Sequence, residues 1–120
     1  MSYVALVTNR FDEVTRFYGE LLGFPIVDQW DRSNARGRRF DTGGMRLEII
    51  DNQRERSPVR LGEPQDRVHI VIEVVDIDQE RSAIPGEVPP VEDHSWGART
   101  FRLHDPDGIP VTYLQWTETE

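Results

Sequence analysis

No cysteine occurs among the 120 residues. Disulfide bridges, thiolate nucleophiles and thiolate metal sites are therefore excluded. No apolar run approaches the length that spans a bilayer. Residues 1–8 hold a short apolar run, but without the basic start, long apolar stretch and small-residue cleavage site of a secretion signal. The expected compartment is the cytoplasm. Three catalytic signatures are missing as well: a glycine-rich phosphate loop, a nucleophile elbow and an HExxH zinc helix. Apolar residues make up only 37% against 30% charged, which suits a small soluble domain or a protomer completed by a partner. Positive charge is in short supply, and the net charge of −8 disfavours nucleic acid and anionic membrane as partners. It is compatible with a cationic ligand, although acidity that merely maintains solubility is the better account.

What is present is a repeated order of elements. Residues 3–8 read as a strand. A helix follows, with Asn9 as its expected N-cap and Asp12 and Glu13 in the first turn, where carboxylates suit the dipole. Phe11, Val14, Phe17, Tyr18, Leu21 and Leu22 recur at helical spacing, and Gly23 is placed to end the helix. Strands are expected at 24–30, 38–42 and 45–50, with Gly43-Gly44 as the hairpin between the last two. Residues 51–66, polar and interrupted by Pro58 and Pro64, read as a linker. Residues 68–75 show almost no alternation, so a strand buried on both faces is expected. Asp76-Ile77-Asp78-Gln79 resembles a capping box, and Pro85-Gly86 stops the short helix that it opens. Strands at 88–91, 99–104 and 109–116 complete the chain, the first of them at a sheet edge because of Pro89-Pro90. Asp105-Pro106-Asp107-Gly108 is strong turn chemistry between the last two.

The pattern is β-α-β-β-β, linker, β-α-β-β-β, and an order-of-elements repeat carries more weight than any single motif. Tyr3-Val4-Ala5-Leu6 lies over His69-Ile70-Val71-Ile72, and Arg46-Leu47-Glu48-Ile49-Ile50 over Pro110-Val111-Thr112-Tyr113-Leu114. A single domain over 1–120 is expected, with one module at about 1–52, a linker at about 53–66 and a second module at about 67–120.

Three segments carry a family resemblance: Arg16-Phe17-Tyr18-Gly19-Glu20-Leu21-Leu22-Gly23-Phe24, Val68-His69-Ile70-Val71-Ile72 and residues 96–115. On them the chain resembles the vicinal oxygen chelate superfamily, which contains glyoxalase I, bleomycin-resistance proteins and extradiol dioxygenases. The resemblance implies an α+β fold of two βαβββ modules whose strands curl around a cleft, and a homodimer. It also implies four metal-ligand positions, at Tyr3, Glu48, His69 and Thr112. Only His69 and Glu48 match the usual ligand types. Tyr3 stands where His or Glu is usual, and Thr112 where Glu is usual. A phenol with a pKa near 10 and a threonine hydroxyl are poor donors for most divalent ions.

Other donors and lining residues follow from strand alternation and composition. Glu73 shares a face with His69. His94 and His104 are the remaining imidazoles, each with an ordinary exposed or hydrogen-bonded role as the bland alternative. A buried Glu48 needs a partner, and a Glu48–His69 pair would supply one and could move a proton. Trp30, Phe40, Trp96, Phe101, Tyr113 and Trp116 are the aromatic candidates, of which Trp30, Phe40 and Trp96 have the more pocket-like flanks. The run Arg36-Gly37-Arg38-Arg39 reads either as a clamp for an anionic ligand or as a solvated edge that blocks strand pairing.

Two functional readings result. In the first the protein is similar to the bleomycin-resistance branch and sequesters a small organic ligand in a dimer cleft, with no cofactor. Tyr3, His69, Thr112, Trp30, Phe40, His94, Trp96 and Tyr113 are then the ligand-binding candidates. In the second it is a glyoxalase-like or dioxygenase-like enzyme. Glu48 and His69 hold Zn, Ni, Fe or Mn against a chelating substrate, and Glu48 or Glu73 shuttles the proton. A cofactor-free isomerase or an accessory domain is a third possibility on the same residues.

Overall fold

A computed structural model describes residues 2–64 and 67–117. The chain forms two compact units, 1–63 and 64–120, each a four-stranded mixed sheet with one short helix. The first unit contains β1 (Tyr3–Thr8), α1 (Phe11–Arg16), β2 (Ile26–Arg32), β3 (Ala35–Asp41) and β4 (Arg46–Asp51). Its strand order is β1-β4-β3-β2. The second contains β5 (Ile70–Glu73), α2 (Ile77–Ala83), β6 (Glu92–His94), β7 (Ala98–His104) and β8 (Pro110–Trp116), in the order β5-β8-β7-β6. In each unit the first strand pairs parallel to the last, and the others pair antiparallel. The helix supplies the crossover that a parallel pair needs. Two βαβββ modules are thus present.

Register extends the repeat to single residues. Glu48 lies opposite Ala5 and Arg39, and Thr112 lies opposite Val71 and Arg102. The two sheets therefore place Arg39 and Arg102 at equivalent points. Arg36 and Arg99 are equivalent by the same count, and each ties its sheet to its helix. Arg36 reaches Asp12 of α1 at 3.5 Å, and Arg99 reaches Asp78 of α2 at 2.8 Å. The hydrogen bond from Arg99 holds the Asp78 carboxyl below its ordinary pKa.

One face of each sheet packs on its helix. In the first unit this face buries Leu6, Leu47, Ile49 and Phe40 against Phe11, Val14 and Tyr18. Tyr18 sits 6.5 Å from both Phe24 and Phe40, ring to ring. Helix α1 passes directly into a single π-turn, Phe17–Leu21, and Gly23 follows with φ +75°. In the second unit Ile70, Ile72, Val111, Phe101 and Tyr113 are buried with Ile77 and Ile84. Phe101 and Tyr113 stack at 4.7 Å. Burial raises the Tyr113 phenol to about 12, with a smaller contribution from Glu80. An acid whose folded pKa lies above its unfolded value stabilises the fold fully below the unfolded value and loses that contribution above it. Unfolding free energy is therefore expected to fall as pH rises from about 10 to about 12. Tyr113→Phe should flatten that fall, and denaturant titrations across the window would read it.

Several expectations are corrected. Asn9 is not the N-cap. Arg10 holds that position without a side-chain cap, Thr8 Oγ1 accepts from the Arg10 N–H, and Asn9 Oδ1 accepts from Asn52 Nδ2 at 2.8 Å. The strand expected at 68–75 is β5 alone, and it alternates. Val71 is 49% exposed on the face of β5 turned away from α2, and Val75, 95% exposed, lies beyond the strand in the bend before α2. Residues 88–91 are not a strand. Pro89 and Pro90 have no N–H to offer a ladder, and the carbonyls of Val88 and Pro89 accept from Arg81 instead. Asp76 does cap α2, accepting from the Gln79 N–H at 3.1 Å. Asp105 organises its turn as expected, its Oδ1 accepting from the N–H groups of Asp107 and Ile109. In the expected linker, Asn52–Arg54 is one turn of 3-10 helix, and residues 65 and 66 lie outside the described residues.

Candidate functional site

The face of each sheet turned away from its helix carries the candidate chemistry. In the first unit, alternation puts Tyr3, Trp30, Arg39 and Glu48 together on that face. Glu48 is 5% exposed, and its Oε1 accepts from Arg39 Nη2 at 2.8 Å. That hydrogen bond is the main reason the Arg39 guanidinium is held above its already high ordinary pKa. The guanidinium also lies 4.2 Å from the Tyr3 ring centre and 5.8 Å from that of Trp30. Trp30 rests flat on Gly37, where a Cβ would overlap the indole. The partner that buried Glu48 requires is thus Arg39, on the neighbouring strand.

In the second unit the same face opens into a pocket of about 490 Å³, within the range of small-molecule sites. His69, His94, Trp96, Thr100, Arg102 and Thr112 are among its lining residues. His69 is exposed just before β5. Thr112 is buried, and its Oγ1 accepts from Arg102 Nε at 2.9 Å. His94 stacks on Trp96 at 5.0 Å, and its Nε2 lies 2.7 Å from Thr100 Oγ1. Trp96 is 56% exposed and meets Trp116 edge to face at 5.8 Å.

The remaining candidates fall elsewhere. Tyr113 packs in the core on the helix side of the second sheet, and Phe101, stacked on it, also contributes to the pocket lining. Phe40 is buried on the helix side of the first sheet, where it lines a separate pocket with Phe24 and Arg38. Glu73 is exposed and accepts from Trp116 Nε1 at 3.2 Å, outside the pocket lining. His104 is exposed at the end of β7, also outside that lining. The arginine run divides between the two faces. Arg36 is held by Asp51 and Asp12, Arg38 lies 5.8 Å from the Phe11 ring centre, and Arg39 lies on Glu48. It is not a solvated edge, because β3 lies between β4 and β2 in the sheet.

The residues present do not suit a divalent cation. The carboxylate at the first module's ligand position is occupied by a guanidinium at 2.8 Å, and the hydroxyl at the second module's by another at 2.9 Å. A metal would have to displace a bound cation at the first and sit beside one at the second. Among the described residues no three His, Asp or Glu side chains group as a metal site would require.

Sequence reasoning overlooked Arg102, Thr100, Pro89 and Pro90. For Arg102 a signal was available. Carrying the repeat through β3 and β7, as it was carried through β4 and β8, places Arg102 against Thr112 as Arg39 stands against Glu48.

The comparisons agree with this architecture. A crystal structure of a glyoxylase/bleomycin resistance protein/dioxygenase domain from Frankia sp. is 14% identical, with 100% of this chain and 93% of that one covered and a TM-score of 0.72. Lactoylglutathione lyase from Agrobacterium tumefaciens is 19% identical, with coverages of 96% and 92% and a TM-score of 0.68. The fosfomycin resistance protein FosX from Listeria monocytogenes is 15% identical, with coverages of 98% and 93% and a TM-score of 0.67. At these identities the likeness is one of fold. No curated protein sequence matched the chain. Residues 1–113 match the profile of the Glyoxalase/Bleomycin resistance protein/Dioxygenase superfamily, and the chain belongs to that superfamily.

Proposed function

We propose that the protein binds a small organic molecule on an open strand face, without a catalytic metal, as a cytoplasmic homodimer. The observation that carries this reading is the arginine beside each module's ligand position, above all Arg39 Nη2 at 2.8 Å from Glu48 Oε1. A cation already resident on the one good carboxylate replaces the charge that a metal would bring. The half-exposed Tyr3, Val71, Trp96 and Trp116 give a partner protomer or a ligand apolar area to cover. Nucleic acid and membrane have no part in this reading, given the charge of −8, and no helix among the described residues is long and apolar enough to cross a bilayer.

The test is metal content by mass spectrometry on tag-free protein, as purified and after incubation with Mn, Fe, Ni and Zn. The expected result is no stoichiometric metal after desalting. Retention of one equivalent, lost in Glu48→Ala or His69→Ala, would replace this reading with that of a metal-dependent enzyme of the glyoxalase or dioxygenase type. Sedimentation velocity tests the dimer independently.

A further inference from the structure

The two equivalent arginines, Arg39 and Arg102, differ in what faces them. At Arg39 the facing residue is Glu48, and Asp28 lies 4.0 Å away as well. At the equivalent Arg102 the facing residue is Thr112, whose hydroxyl takes only the Nε proton. Among the described residues no carboxylate is within ion-pair distance of Arg102. Its two terminal nitrogens remain as donors beside a pocket that also presents His69.

The other part of that pocket is aromatic. His94 pairs with Ala98 across β6 and β7, four residues along β7 from Arg102. That is roughly 13 Å of strand, and the stacked His94–Trp96 pair lines the same pocket as Arg102. A single guanidinium matches a planar monoanion. Glu92, also in the lining, disfavours a dianion such as phosphate.

We propose that this pocket takes a small aryl carboxylate, with the carboxylate on the Arg102 terminal nitrogens and the ring on Trp96 and His94. The proposal deepens the metal-free binding reading and rests on it for the assumption that this face is the ligand site. Thr112 positions the guanidinium by accepting from Nε, and the terminal nitrogens donate to the ligand.

The experiment is an NMR titration of 15N-labelled, metal-stripped full chain with 2-naphthoate and with its neutral isostere, 2-naphthamide. Naphthoate should give saturable shifts in β7, β8 and the Trp96 indole, and should bind about tenfold or more tighter than the amide. Arg102→Gln should weaken naphthoate far more than the amide and so abolish the difference between the two. Trp96→Ala should weaken both. Both side chains are exposed, and thermal melts confirm that the variants fold. Equal binding of the two probes in the pocket, or naphthoate affinity unaffected by Arg102→Gln, overturns the carboxylate assignment and leaves the metal-free reading standing. Absence of saturable shifts in this face overturns the assignment too. Because the protein is stripped, stoichiometric metal in the purified chain would overturn the metal-free reading separately.

Discussion

Asp51→Ala is expected to lower unfolding free energy by roughly 2–4 kcal/mol. Asp51 is 2% exposed. Its Oδ2 accepts from Arg36 Nε at 2.9 Å and Nη2 at 2.8 Å, and its Oδ1 accepts from the Gln53 N–H at 3.0 Å. Removing it breaks a forked ion pair and the cap of the 3-10 turn together. Arg36 keeps only the looser contact to Asp12 at 3.5 Å and its seat over Phe11 at 4.3 Å. The lower half of the range is the firmer expectation, because Arg36 retains 23% side-chain exposure and water can recover part of its charge. Urea denaturation of the full chain measures the change. Arg36→Met combined with Asp51→Ala should be less destabilised than the single variant, since no stranded cation is left. A loss below about 0.5 kcal/mol would mean that the pair behaves as a surface contact.

Thr112→Glu should abolish the carboxylate preference of the second module's pocket. The register that sets Glu48 against Arg39 sets residue 112 against Arg102, so the introduced carboxylate becomes a counter-ion for Arg102, which has none within ion-pair distance among the described residues. Naphthoate binding should fall by about tenfold or more, to the level of Arg102→Gln. The same substitution restores the residue type that the family resemblance places at a ligand position. It should nonetheless gain no stoichiometric metal, because Arg102 takes the new oxygen first. Parallel ligand titration and metal analysis separate the outcomes. Metal retained by Thr112→Glu, with naphthoate binding intact, would show that the guanidinium does not hold that position.

The element order was legible because each signal was local. The turn residues of Asp105 to Gly108, the cap at Asp76 and the β-branched and aromatic content around that turn all act within a few residues of themselves. Two readings failed because they depended on what covers a strand. The apolar sequence of β5 suggested burial on both faces, yet Val71 is half exposed, since a run of valines and isoleucines does not say whether a second layer exists. Residues 88–91 suggested an edge strand, but Arg81 of α2 takes the carbonyls that a neighbouring strand would have used. The site was legible in part. His69, His94, Trp96 and Thr112 were anticipated and do line one pocket. Tyr113 and Phe40 were anticipated with them, but they point to the helix side, where burial is complete enough to fix their place in the core.

The sequence by itself determined the two βαβββ modules, their correspondence residue for residue, and the odd chemistry at Tyr3 and Thr112. The modules and their correspondence follow from periodicity, turn residues and repetition, which need no knowledge of neighbours, whereas the oddity of Tyr3 and Thr112 is visible only through the family resemblance. Only the tertiary structure decided which charge meets which. Glu48 needed a partner, and the sequence suggested His69. Strand register chose Arg39 for Glu48 and set Arg102 against a hydroxyl, in the lining of the second module's pocket. Pairing across strands is set by backbone register, and a shift of one residue would turn every one of these side chains to the opposite face.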